Sequence, residues 1–256
     1  MDKRARVLAA LRGEAVDHVP ISFWGHHYVA ENSADGLAQE TLRQLRRFDW
    51  DFLKPQSRAQ AFAEMWGLTY TPSRVAHQKY TTTHVPVAGP AELARLQPAD
   101  PTAGALGEQL QALRTIRAAA GPSVPIIWTV FSPLMIARYL LPGDAAQLLE
   151  IARTEPDALT VALEAIAETL VGYVRACLAS GADGVFYATN LATREMLSIR
   201  SVRPLLATRA NWVSSCRRRS TSRRSRAEAF RRASTVGRSR WATSRSWQAT
   251  ASSSTG

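Results

Sequence analysis

The 256-residue chain is predicted to be an α/β protein: an incomplete (β/α)8 TIM-type barrel followed by a disordered or irregular basic C-terminal tail. Three observations predict this. Short apolar segments alternate with amphipathic helical ones, strand then helix, which favours a parallel sheet with helical crossovers. That alternation stops near residue 199. Beyond it the chain turns to arginine and serine, so the division is a partial barrel over residues 1–199 and a tail over 200–256. An open doubly wound sheet is the competing architecture for the same alternation.

Taken in order, Asp2 is placed to cap a helix over residues 5–12, with Val7, Leu8 and Leu11 on one face and Gly13 as its stop. Residues 19–24 (VPISFW) read as a strand, with Pro20 near its start, where a missing N–H is tolerated. A helix over 33–47 carries Leu37, Thr41, Leu42 and Leu45 at helical spacing and leads to a second strand over 51–54. Residues 77–87 alternate β-branched and polar types, as an excursion or edge strand would. A helix over 106–120, a nearly continuous apolar strand over 124–130, and helices over 134–141 and 145–153 follow. The strongest helix is 157–180, with Leu159, Leu163, Ile166, Leu170, Val174 and Cys177 on one stripe and Gly181 at its end. The strand GVFYAT over 184–189 closes the series.

The net charge of +11 would ordinarily suggest a nucleic-acid partner, but its distribution decides otherwise. Residues 200–256 hold 14 Arg, 13 Ser and a single acid, Glu228, leaving 18 basic and 20 acidic side chains in residues 1–199. The barrel part therefore has a net charge of −2, an ordinary enzyme surface. Only six of the 57 tail residues are Val, Leu, Ile, Met or Phe, too few for three or four buried strands. A frameshifted reading of a GC-rich gene produces this bias, and so does a true basic tail. Two cysteines, Cys177 and Cys216, exclude a disulfide framework and a cysteine-based metal cage. No run of 18 uncharged apolar residues and no secretory leader is present, so a cytoplasmic protein without membrane contact is expected.

The opening RVLAALRGEAVDHVPISFW resembles the uroporphyrinogen decarboxylase family, whose members start with a helix, a Leu-x-Gly-Glu turn and an Asp-x-x-Pro entry to the first strand. Three further segments agree in order and spacing: DWDFLKPQSR near residue 50, the stretch from Ile126 through FSPLMIARYL, and RTEPDALTVALEAIAETLVGYVRACLASGADGVFY. The resemblance covers about residues 4–197. It implies a barrel enzyme, a carboxy-lyase of porphyrin biosynthesis that works without a cofactor or metal. The implied partner is a small molecule, tetrapyrrole-like or another carboxylate.

Carried over residue by residue, the resemblance makes Tyr139 and Gln56 the catalytic candidates and Asn190 a substrate-binding one, while Trp24, His26, His27 and Lys54 are substrate-binding candidates from their place at the C-terminal ends of predicted strands. Tyr139 matches the tyrosine of the family's Pro-x-x-Leu-x-x-Tyr motif, with Ile136 in place of its leucine. Asn190 stands where the family has Ser or Thr at a strand end. Two departures matter. The decarboxylases' Arg-Gln-x-Gly-Arg carboxylate clamp is replaced by Gly25, His26, His27 and Tyr28, and their catalytic Asp by Gln56, a neutral amide beside Lys54, Ser57 and Arg58. Asp183 reads as a structural residue at the opposite, N-terminal face of the barrel.

Four functions follow as expectations. The first is a divergent or inactive decarboxylase relative. The second is a relative of the family's corrinoid-dependent methyltransferases, whose zinc-binding His-x-Cys and later Cys belong to the C-terminal half missing here. Nucleic-acid binding by the tail, with Trp212, Trp241 and Trp247 for stacking, is the third and is disfavoured for want of a folded recognition module. The fourth is an inactive product whose sheet edges are left open.

Overall fold

The computed structural model describes residues 1–143 and 145–190; the tail and everything predicted of it lie outside the described residues. Helix α1 (Lys3–Arg12) starts two residues earlier than its periodicity suggests, because Asp2 accepts a bond from Ala5 N at 2.7 Å. Gly13 ends it in the left-handed conformation, φ 72°. A 3-10 turn (Ala30–Asn32) precedes α2 (Ala34–Phe48), which Ser33 caps through Gly36 N. Short α3 (Ala61–Glu64) and α4 (Pro90–Leu93) flank a ribbon of β1 (Thr69–Thr71) and β2 (Thr81–His84). Then come α5 (Gly104–Ala120), β3 (Ile127–Phe131), α6 (Pro133–Leu140), α7 (Ala145–Thr154), α8 (Pro156–Ala179) and β4 (Gly184–Ala188).

Strands β3 and β4 pair in parallel from Ile127 with Gly184 to Phe131 with Ala188, the pairing a βαβ barrel unit requires. Leu53 extends this sheet by a parallel bridge to Ile126, donating to Pro125 O and accepting from Ile127 N, both at 2.8 Å. The second expected strand, 51–54, is thus reduced to this bridge. Pro55, which has no N–H to give, ends it.

Residues 19–24, expected as the first strand, run without a ladder. Their one backbone bond into the sheet line is Asp51 N to Ile21 O, 2.9 Å. Phe23 is 66% and Trp24 57% exposed, whereas a paired inner strand would cover both faces. The excursion expected over 77–87 contracts to β2. Its antiparallel partner β1 was not foreseen, because Thr69, Tyr70 and Thr71 carry no buried face that a pattern could reveal.

Helix α8 buries the whole predicted stripe from Leu159 to Cys177 against α6 and β3. Within that core, the Tyr173 hydroxyl accepts from Trp128 Nε1 at 2.9 Å, and Phe62 packs edge-on against the same ring. Both partners are fully buried. Tyr173→Phe should therefore strand the indole N–H and cost about 1–3 kcal/mol in urea unfolding; an unchanged midpoint would mean that the pair is not desolvated.

The N-terminal ends of the strands are closed by charge. Asp183 accepts from Ile126 N at 2.8 Å and pairs with Arg117 of α5 at 2.6 Å and Arg4 of α1 at 2.8 Å. Arg6 bridges Asp17 and Asp51, both at 2.6 Å, and Asp51 also accepts from Ile21 N. Burial opposes ionisation of Asp51, yet these bonds hold its carboxyl below the usual range. Asp183 has the structural role expected of it, which leaves the C-terminal ends of the strands for chemistry.

Candidate active site

Lys54 leaves the sheet one residue after Leu53, and its neighbour Pro55 is pinned to β3 because Thr129 Oγ1 donates to Pro55 O at 3.1 Å. In the parallel register Thr129 pairs with Phe186, so both face the same side of the sheet. The Lys54 ammonium consequently sits between two rings, 3.9 Å from the Trp24 centroid and 4.3 Å from that of Phe186. Its one hydrogen bond to a described residue is a long contact with Gln56 Oε1, 3.4 Å, and it pairs with no described carboxylate. Burial pushes its pKa down to about 8. Cation–π attraction offsets part of that desolvation.

A cavity of about 770 Å³ opens beside this lysine, with Trp24, His26, His27, Lys54 and Gln56 among its lining residues. Five of the seven sequence-predicted site residues therefore share one cavity. Its other cation, Arg43, is already held by Glu40 at 2.6 and 2.7 Å. Arg58 is turned away from it. Buried, it forks onto Glu64 and Glu108 at 3.0–3.2 Å and donates to Asn32 O.

The two neighbouring histidines differ. His27 Nδ1 accepts from Ala30 N at 3.1 Å and so holds the start of the 3-10 turn. His26 Nδ1 faces Glu31, 2.8 Å from Oε2, and its ring stacks on Tyr28 with centroids 4.7 Å apart and planes 7° apart. Trp24 meets the His26 ring edge-on at 6.5 Å.

Tyr139 and Asn190 stand apart from the cavity lining. Tyr139, on α6, stacks over Phe131 with Arg138 5.3 Å from its centroid. Burial raises its hydroxyl pKa and Arg138 opposes the rise. It belongs to a tyrosine group with Tyr28 and Tyr80, whose hydroxyls are raised by burial first. Glu31 and then Tyr139 add to the rise at Tyr28, and Tyr139 and Tyr28 to that at Tyr80. Through Tyr28 this group backs onto His26. Asn190 is exposed, two residues beyond the end of β4. Phe186 and Glu31 were missed from the sequence. Strand alternation would have put Phe186 on the Thr129 side, whereas the His26–Glu31 spacing matches no helical or strand period.

The cavity runs between residues 18–27, α2 and residues 49–56, and its half-buried ammonium, imidazoles and aromatic rings are the kind of lining that holds a small molecule. The chain belongs to the uroporphyrinogen decarboxylase family, whose model, "Uroporphyrinogen decarboxylase (URO-D)", matches residues 2–206. It is similar to the uroporphyrinogen decarboxylases of Psychromonas ingrahamii, 29% identical over 157 residues, and of an Enterobacter species, 28% identical over the same length. Each match covers 60% of this chain and 43% of the relative, so the chain spans less than half the length of these curated relatives. Among solved structures, a methyltransferase from Methanosarcina mazei superposes with a TM-score of 0.68 at 24% identity, covering 84% of this chain and 67% of the other. That likeness establishes the shared fold, a partial TIM-type α/β barrel. Among the described residues no helix is long and apolar enough to cross a membrane.

Proposed function

We propose that this chain is a divergent member of its family whose pocket binds a small carboxylate-bearing molecule through Lys54, and that it is not a working uroporphyrinogen decarboxylase. The observation that carries the reading is the Lys54 ammonium, which has no carboxylate partner among the described residues and is wedged between Trp24 and Phe186 on a cavity of about 770 Å³. A half-buried ammonium without an anion is under-satisfied, and an incoming carboxylate forms the charge-assisted bond that the protein leaves unmade. Gln56 adds an amide, His26 and His27 add imidazole nitrogens, and the rings supply apolar walls. The reading requires no cofactor. A tetrapyrrole is one such carboxylate, but a ligand with many carboxylates needs more cations than the cavity offers, since Arg43 is committed to Glu40.

The test is calorimetric titration of the purified chain with a set of small di- and tricarboxylates and their amide counterparts. Lys54→Met should weaken the best carboxylate about 10- to 100-fold, the worth of one charge-assisted bond at about 1.5–3 kcal/mol. Equal affinity in the variant would remove Lys54 from the site.

A further inference from the structure

Glu31 is the buried acid that the carboxylate reading does not use. It is 2% exposed, and the His26 ring is its hydrogen-bonding side-chain partner among the described residues. A buried carboxylate is costly unless bonded, so this contact is strongly favoured. With Glu31 ionised, its oxygens only accept, so the ring nitrogen facing it, Nδ1, carries the proton. The other nitrogen, Nε2, has no partner among the described residues, and the ring lines the same cavity as Lys54. The stack on Tyr28 and the edge of Trp24 fix the ring plane. Other charged and titratable groups surround it. Tyr80, Tyr139 and Arg138 lie behind Tyr28, Lys54 lies beyond Trp24, and the Arg43–Glu40 pair sits on the α2 wall.

We infer that His26 and Glu31 form an acid–base dyad in which Glu31 holds the Nδ1–H and His26 Nε2 exchanges a proton with a carbon of the bound ligand. This rests on the carboxylate reading for the ligand's class. In a decarboxylation the carbon–carboxylate bond breaks and carbon dioxide leaves. The electron pair stays on carbon, and the protonated Nε2 gives its proton there. The ring is left neutral with Nδ1–H on Glu31, and a solvent proton restores it. His26 is the proton-transfer group and Glu31 its positioning residue. The histidine is one that the sequence had suggested only for binding.

The dyad is tested without any carboxylate. The probe is 5-nitrobenzisoxazole, a neutral compound that opens to a cyanophenolate when a base removes its carbon-bound proton; the step is the reverse of carbon protonation and is read by absorbance. His26→Gln should slow it about 100-fold, the lower end of what a positioned base contributes. Glu31→Gln should slow it less and Glu31→Asp recover part of the loss, while His84→Gln, on exposed β2, should leave it unchanged. Nitrogen-15 spectra of histidine-labelled wild-type protein should show His26 protonated at Nδ1 and bare at Nε2 when neutral. This second readout does not depend on any variant folding. A wild-type rate in His26→Gln, or a His26 ring protonated at Nε2 in its neutral form, would overturn the dyad. Because the nitrogen-15 readout does not involve Lys54, failure of carboxylate binding leaves the dyad standing, and failure of the dyad leaves the binding result standing.

Discussion

Incubated with uroporphyrinogen, the purified chain should form coproporphyrinogen about two to six orders of magnitude more slowly than an ordinary uroporphyrinogen decarboxylase. The estimate counts two or three missing charge-assisted contacts at about 1.5–3 kcal/mol each, with a factor of ten per about 1.4 kcal/mol. The resemblance implies that the family's arginine clamp and acid fall at residues 25–28 and Gln56, none of which supplies a guanidinium or a carboxylate. Among the described residues, Arg58 is turned onto Glu64 and Glu108 and the cavity's Arg43 is held by Glu40. Turnover within tenfold of an ordinary uroporphyrinogen decarboxylase would show that the site has been assigned to the wrong residues. Family membership and this expectation are compatible, because a barrel preserves its scaffold while its strand-end residues change.

The second large effect is structural. Arg58→Met should destabilise the chain by about 3 kcal/mol or more in urea unfolding, because breaking a buried ion pair leaves charge behind without a partner. Against a total stability of about 5–15 kcal/mol for an ordinary domain, that is a severe loss. Burial pushes the Glu64 carboxyl up, and Arg58 opposes that rise. Adding Glu64→Gln and Glu108→Gln to the variant should restore much of the stability. Arg58→Lys should not, since one ammonium cannot fork two carboxylates. A loss under 1 kcal/mol for Arg58→Met would mean that these are solvated surface pairs.

How far the residues alone could be read follows from what each element depends on. Helix α8 was clear because six apolar positions on one stripe need only their own periodicity and a packing surface. Strand β4 and its predecessor β3 were clear as apolar runs, though β3 begins three residues later than expected. Residues 19–24 look like a strand in isolation, but a strand exists only where neighbours accept its backbone bonds, and here Ile21 O alone receives one from the sheet line. The site shows the same division. Lys54, Trp24, His26 and His27 could be named from their place at the ends of the predicted strands, and Gln56 from the resemblance. Their chemistry could not, because Phe186 and Glu31 arrive from elsewhere in the fold and decide what Lys54 and His26 do.

Titrating Lys54 alone decides whether this ammonium, which has no carboxylate partner among the described residues, is the group that binds an anion. Carbon-13 signals from the Lys54 ε-carbon, assigned by comparison with Lys54→Met, should follow a pKa near 8 in the free chain. Saturation with the tightest-binding carboxylate should raise that pKa, because the ligand favours the ammonium form. By linkage the affinity should be constant from above the ligand's own carboxylate range up to about pH 8 and fall as the pH rises further. A Lys54 titrating like an ordinary lysine in the free chain, or a pKa that does not move when the ligand binds, would contradict the account.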